Sequence, residues 1–212
     1  MEWPDIKPDS DGPGINGRRI SLAYFCAMND ILVKDLAFSL FLSKNQIQQR
    51  ISAIATALSK QLKGKKPVFL GILNGSFLFA ADLFRQITVD AEISFVKLAS
   101  YSGTTSSGKV LTLLGLDVEL YDRTVVIVED IVDSGLTMSS FLPKLAEKGP
   151  KEVLIVSLLV KPDALQHKID IDYIGFEIPA TFVVGYGLDY EGFGRNHDAI
   201  YQLKDGTTSQ PL

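Results

Sequence analysis

Apolar side chains recur at Ile47, Ile51, Ile54, Ala55 and Leu58, steps of three and four that place them on one helical face, and Ser43 stands where an N-cap belongs. This spacing predicts a helix over 44–62. The pattern then changes. Residues 68–73, 124–128 and 153–160 are apolar runs with no polar face, as in strands buried on both sides of a parallel sheet. Residues 77–87 and 138–148 return to helical spacing, the second with Pro143, which lacks an N–H and predicts a kink. Alternation over 91–98 predicts another strand, and 111–120 a strand or hairpin leading to a turn at 121–123. The apolar positions of 31–42 suggest an edge segment, and 171–174 and 182–184 short strands separated by 176–179. Buried strands alternating with helices predict an α/β fold: a doubly wound, mainly parallel sheet flanked by helices, with ligands at the carboxyl ends of its strands.

The 212 residues, 46% of them hydrophobic, suffice for one well-buried domain. No apolar run approaches the roughly 18 residues that a membrane helix needs. A formal net charge of −4 argues against nucleic acid or an anionic membrane as the main partner. The single cysteine, Cys26, cannot form an internal disulfide, which fits a reducing, cytoplasmic compartment. Arg18 and Arg19 precede a short apolar stretch but lie behind a polar leader rich in proline and glycine, unlike a signal peptide. Residues 1–27 are expected to be an extension, mobile or non-native, with Met28 as an alternative start and 28–212 as the domain proper.

Candidate chemistry concentrates where the strand 124–128 gives way to Glu129-Asp130-Ile131-Val132-Asp133-Ser134-Gly135-Leu136-Thr137. The acids are expected to end the strand. Ser134 to Thr137 then lead into a helix whose free N–H groups and positive dipole end would face an anion. Glu129 and Asp130 would repel a phosphate, so they suit hydroxyls or a bridging metal on the same ligand. A ribose 5-phosphate supplies both ends. Asn74-Gly75-Ser76 repeats the strand, loop and helix order and should present a second set of N–H groups. Residues 99–109 are dominated by Ser, Thr and Gly and should be mobile. Within them, Gly103 to Lys109 nearly matches a nucleotide P-loop, but Val110 replaces the magnesium-binding hydroxyl. Neither His167 nor His197 lies in a hydrolase motif.

Taken whole, Val126 to Thr137 resembles the phosphoribosyl pyrophosphate signature of the purine phosphoribosyltransferases, and most closely that of the hypoxanthine-guanine group. The resemblance extends from about Met28 to Lys204. It implies the type I fold of that family, with a small hood lobe built from the chain ends. It implies magnesium as cofactor, phosphoribosyl pyrophosphate with hypoxanthine or guanine as substrates, and a homodimer or homotetramer.

By the same resemblance, Glu129 and Asp130 anchor the ribose and its metal, Asp133 is the acid or base at purine N7, and Ser134, Gly135, Leu136 and Thr137 cradle the 5-phosphate. Several relatives have a polar or basic residue in place of Leu136. Asn74 and Gly75 form the pyrophosphate loop, with a cis Leu73-Asn74 peptide. Many relatives carry Lys at Asn74, so a backbone role survives there and a charge role does not. Ser100 and Tyr101 reach the ligand from a loop that closes over the site. Lys161 donates to the 6-oxo group, Phe182 stacks on the base, and the backbone of Val183 reads the ring edge. Asp189 helps hold a second magnesium, and Arg195 contacts pyrophosphate. A regulator of this fold that works on nucleic acid, and a transferase for another base such as xanthine, stand as alternatives.

Overall fold

The computed structural model describes residues 30–100, 110–112 and 118–204. The expected extension 1–27, Cys26, and the loop residues 101–109 with Tyr101 and the P-loop-like stretch lie outside them.

The main sheet has six strands: β3 (Val68–Leu73), β4 (Glu92–Ser100), β5 (Val110–Thr112), β6 (Thr124–Val132), β7 (Glu152–Val160) and β8 (Tyr173–Glu177), in the order β5-β4-β3-β6-β7-β8. All neighbours run parallel except the edge strand β5. Its helices are α1 (Lys44–Gln61), α2 (Phe77–Phe84) and α3 (Leu136–Ala146). The fully buried centre of β6 explains their placement. Val126 and Val128 face the cluster holding Ile47, Ile51 and Leu58 of α1 with Phe79 and Leu83 of α2. Val125 and Ile127 point the other way, to Met138, Phe141 and Leu145 of α3. Strand alternation thus sorts one apolar run between two helical layers. Helix α1 begins with a full capping box, Ser43 and Gln46 satisfying each other's backbone N–H groups.

The chain ends build a second sheet, as the resemblance implied. Strands β1 (Asp30–Val33), β2 (Leu36–Leu42), β9 (Val183–Val184) and β10 (Ile200–Leu203) pair antiparallel in the order β1-β2-β10-β9. This lobe packs Val33, Leu36, Phe38 and Val184 into its own small core. It also sends Val183, Tyr186, Leu188 and Ile200 into the main one.

Several expectations need correction. Residues 31–42 form a hairpin, turning at Lys34 with a left-handed φ of 53°, and β2 is an interior strand of the hood. Strand β8 starts two residues later than expected and takes in Phe176 and Glu177, which the sequence assigned to a connection. The acids do not end β6, which pairs with β7 through Val132. Helix α3 starts at Leu136 and runs unbroken past Pro143.

Candidate active site

Strands β3 and β6 are neighbours, yet the chain leaves β3 for β4 on one side and β6 for β7 on the other. Diverging connections open a crevice at the carboxyl ends of such strands. Two loops meet there. From β3 comes Asn74-Gly75-Ser76, with the expected cis peptide between Leu73 and Asn74. Buried Ser76 turns this loop back into α2 by donating its hydroxyl to the Ile72 carbonyl at 2.6 Å. Gly75 lies so close to Asp130 that a Cβ there would sit 1.5 Å from Asp130 Oδ2. The approach requires glycine for lack of room.

The acid pair is desolvated. Glu129 is buried and its Oε2 has no hydrogen-bond partner among the described residues. Burial pushes its carboxyl well above the ordinary carboxylate range, and neighbouring Asp130 adds to the rise. Burial also lifts Asp130, to about 6, against the pull of N–H groups of the local backbone and of Arg195, while Asp189 pushes further up. An unpartnered buried oxygen and two carboxyls that burial disfavours as anions suit a divalent cation. No group of three or more His, Cys, Asp or Glu among the described residues could hold a metal alone. Two carboxylates alone would leave most of a divalent cation's coordination to oxygens from outside the protein.

The third acid heads the loop that leads into α3. Gly135 precedes α3 with a left-handed φ of 78°, and Asp133, Ser134, Gly135 and Thr137 join Glu129 around a cavity of about 80 Å³. The connection after β7 supports this loop from behind. The N–H groups of Gln166 and His167 both donate to the Ser134 carbonyl, at 3.0 and 3.1 Å, and a Cβ on Gly135 would meet the His167 carbonyl oxygen at 2.8 Å. The side chain of Leu136 is exposed. The Leu136 N–H lies 3.4 Å from Ser134 Oγ.

Lys161 stands beside Asp133. It is nearly buried, and its ammonium donates to Asp133 Oδ2 at 2.6 Å, while its backbone N–H donates to the Val132 carbonyl. Val132 pairs with Val160 across β6 and β7, so Asp133 and Lys161 leave adjacent strands at the same level. Phe182 is 43% exposed and rests on Phe38 and edge-on against Tyr190, at centroid distances of 6.1 and 6.0 Å. Val183 is buried beside it and pairs with Gln202.

Arg195 and Asp189 form a 2.6 Å ion pair. The second oxygen of Asp189 accepts the Gly192 N–H at 2.6 Å, so both are engaged within the protein. Arg195 also donates to the Gly187 carbonyl at 2.6 Å. Ser100 ends β4. Gly187 has a structural role that the sequence alone does not assign: it has a φ of 98°, and a Cβ there would lie 2.0 Å from the Gly75 carbonyl oxygen. The spacing Gly185-x-Gly187 was the available signal. Its meaning depends on Gly75, more than a hundred residues away in the chain.

A family model described as the phosphoribosyl transferase domain matches residues 41–191. The hypoxanthine-guanine phosphoribosyltransferase of Mycobacterium bovis is 41% identical over 160 residues, covering 72% of this chain and 79% of its own. That of Bacillus subtilis is 38% identical over 164 residues, covering 77% and 91%. The crystal structure of a hypoxanthine phosphoribosyltransferase from Staphylococcus aureus matches with a TM-score of 0.79 at 36% identity, over 87% of this chain and all of its own. A Trypanosoma cruzi hypoxanthine phosphoribosyl transferase, studied for the role of its C-terminal region in oligomeric state and activity, matches at 0.75 with 32% identity, over 82% and 95%.

Proposed function

The chain belongs to the phosphoribosyl transferase family, and from that premise we propose that it salvages purines by moving ribose 5-phosphate from phosphoribosyl pyrophosphate to hypoxanthine or guanine, giving IMP or GMP and pyrophosphate. One observation carries the choice of acceptor. A buried ammonium and a carboxylate, Lys161 and Asp133, lie 2.6 Å apart just past the carboxyl ends of β7 and β6. The O6 and N7 atoms of a 6-oxopurine are neighbours on one edge of the ring, and they call for a donor and a proton acceptor side by side.

The residues divide the work. Ser134 to Thr137 hold the 5-phosphate on the N-terminal turn of α3, while Glu129 and Asp130 face the ribose hydroxyls. Asn74, Gly75 and Arg195 receive the diphosphate, and Phe182 and Val183 take the base. Glu129 and Asp130 would hold magnesium, which would supply positive charge against the departing pyrophosphate; a second ion at Asp189 would have to share oxygens already bonded to Arg195 and Gly192. The bond from ribose C1 to the diphosphate oxygen breaks, its electron pair leaving with pyrophosphate. A purine ring nitrogen gives its lone pair to C1. Asp133 holds the surplus purine proton at N7, a role worth about 10² to 10⁴ in rate. Lys161 donates to O6, and its 2.6 Å bond to Asp133 Oδ2 holds that carboxylate in place beside it.

A buried donor at position 6 also selects. Adenine would bring an amino group to Lys161, and a buried polar mismatch of this kind costs a factor of about 10⁴ to 10⁵. No described helix is long and apolar enough to cross a membrane. A cytoplasmic homodimer or homotetramer fits the reading. Incubation with magnesium, phosphoribosyl pyrophosphate and hypoxanthine should give IMP and pyrophosphate in equal amounts. Pyrophosphate formed without IMP would overturn the proposal.

A further inference from the structure

A second cluster lies on the far side of the pyrophosphate loop, where helices α1 and α2 meet the hood segment 185–198. Tyr186 is almost fully buried, and its hydroxyl donates to Asp82 Oδ2 of α2 at 2.6 Å. Gln48 of α1 donates to the same oxygen at 2.6 Å. Arg85 holds the other oxygen at 2.9 Å. Three structural units therefore converge on one carboxylate. Burial, followed by the bond to Asp82, pushes the Tyr186 phenol far up, so it stays a neutral donor at every physiological pH.

The position of this cluster gives it a role. Tyr186 immediately precedes Gly187, whose Cα packs against the Gly75 carbonyl and whose own carbonyl accepts from Arg195. Asp82 sits on the helix that begins directly after Asn74-Gly75-Ser76. The hood segment is stiff within itself: Gly185 and Leu188 exchange backbone bonds at 3.0 Å, Tyr186 donates to His197, and Gly187 donates to the Arg195 carbonyl. Its setting against the core depends on what crosses the boundary. Apolar contacts of Tyr186 and Leu188 with the core are non-directional and tolerate sliding. A phenol bound to a carboxylate fixes both distance and angle. Tyr186 also holds a left-handed φ of 49°, unusual for a bulky side chain, so its ring is aimed at Asp82 at some cost to the backbone.

Building on the transferase reading, we infer that Tyr186, Asp82 and Gln48 form a positioning clasp that sets Arg195 and the Gly187 backbone against the Asn74-Gly75 loop, and so determines affinity for the diphosphate end of the substrate. These are positioning residues, since none of them touches the reacting atoms. The base should be insensitive to the clasp, because Phe182 and Val183 are held separately through β9 and β10.

The test uses the full chain and three variants: Tyr186→Phe, Asp82→Ala and Asp82→Asn, the last keeping an acceptor for the phenol. Loss of a hydrogen bond to a charged group predicts a rise of about tenfold in KM for phosphoribosyl pyrophosphate, and in Kd for inorganic pyrophosphate, in Y186F and D82A. D82N should recover part of that loss, and KM for hypoxanthine should stay within about twofold of wild type in all three. Unchanged pyrophosphate affinity in an active, folded Y186F would overturn the clasp. So would equal rises in KM for both substrates, or a fall in melting temperature and active fraction with both KM values unchanged. Should Y186F fail to fold, D82A and D82N give the same comparison. A wild-type protein that binds pyrophosphate but transfers no ribosyl group would instead sink the transferase reading.

Discussion

Gly75→Ala adds one methyl group and should disable the site. The added carbon would stand 1.5 Å from Asp130 Oδ2, whereas ordinary contact begins at 3.4 Å. The carboxylate or the loop must therefore retreat by roughly 2 Å, an estimate from those two distances, and neither moves easily. Asp130 lies within β6 beside Glu129, and the Gly75 carbonyl is covered by Gly187 at a spacing that leaves no room for a Cβ. A displacement of about 1 Å in a positioned site can cost some 10² in rate, equivalent to about 2.7 kcal/mol of transition-state stabilisation. Steady-state kinetics with hypoxanthine and varied phosphoribosyl pyrophosphate should show kcat/KM reduced at least 100-fold, about that figure. Circular dichroism should remain close to wild type, because the clash lies at the rim of the crevice and outside the core. Wild-type kcat/KM in Gly75→Ala would refute the idea that contact between Gly75 and Asp130 organises the site.

Other outcomes follow from the same geometry. Asp133→Asn should lower kcat by about 10² to 10⁴ with little change in phosphoribosyl pyrophosphate binding, and near-normal turnover would remove Asp133 from proton transfer. Lys161→Met should erase most discrimination between hypoxanthine and adenine by removing the buried donor, measured as the ratio of their kcat/KM values; an unchanged ratio would place selection elsewhere. Asp130 has a folded pKa of about 6 against about 3.9 unfolded, so the folded state favours its protonated form. That stabilisation is complete below about pH 4 and is lost as pH rises through 6, a change of about 3 kcal/mol. Urea unfolding without divalent ions should thus show Asp130→Asn gaining on wild type between pH 4 and pH 7, and parallel pH profiles would contradict the burial argument.

The two helical layers and the central strands were legible because each repeats a local pattern. The apolar runs within β3, β6 and β7, and the stripe of α1, state their burial without help from distant residues. The acid-rich end of β6 and the loop after it stood out for a different reason: carboxylates clustered beside a helix N-terminus are a charge arrangement that local sequence displays directly. The hood was less open to local reading. Strand β10 pairs with β2 from more than 150 residues away, and its residues 200–203 carry no strong pattern of their own. The β1–β2 turn uses Lys34 and Asp35 where a glycine or asparagine would have signalled a hairpin. Side-chain pairings were the least visible. The contact of Lys161 with Asp133 follows from the register of Val132 with Val160, which two equally apolar strands leave undetermined.

The most direct measurement follows pyrophosphate release and nucleotide formation from phosphoribosyl pyrophosphate with hypoxanthine, guanine and adenine in parallel. Hypoxanthine and guanine should be converted, and adenine should have a kcat/KM lower by about 10⁴ or more. Comparable conversion of adenine, or no nucleotide from any of the three, would contradict the account of Lys161 and Asp133 as readers of the 6-oxopurine edge.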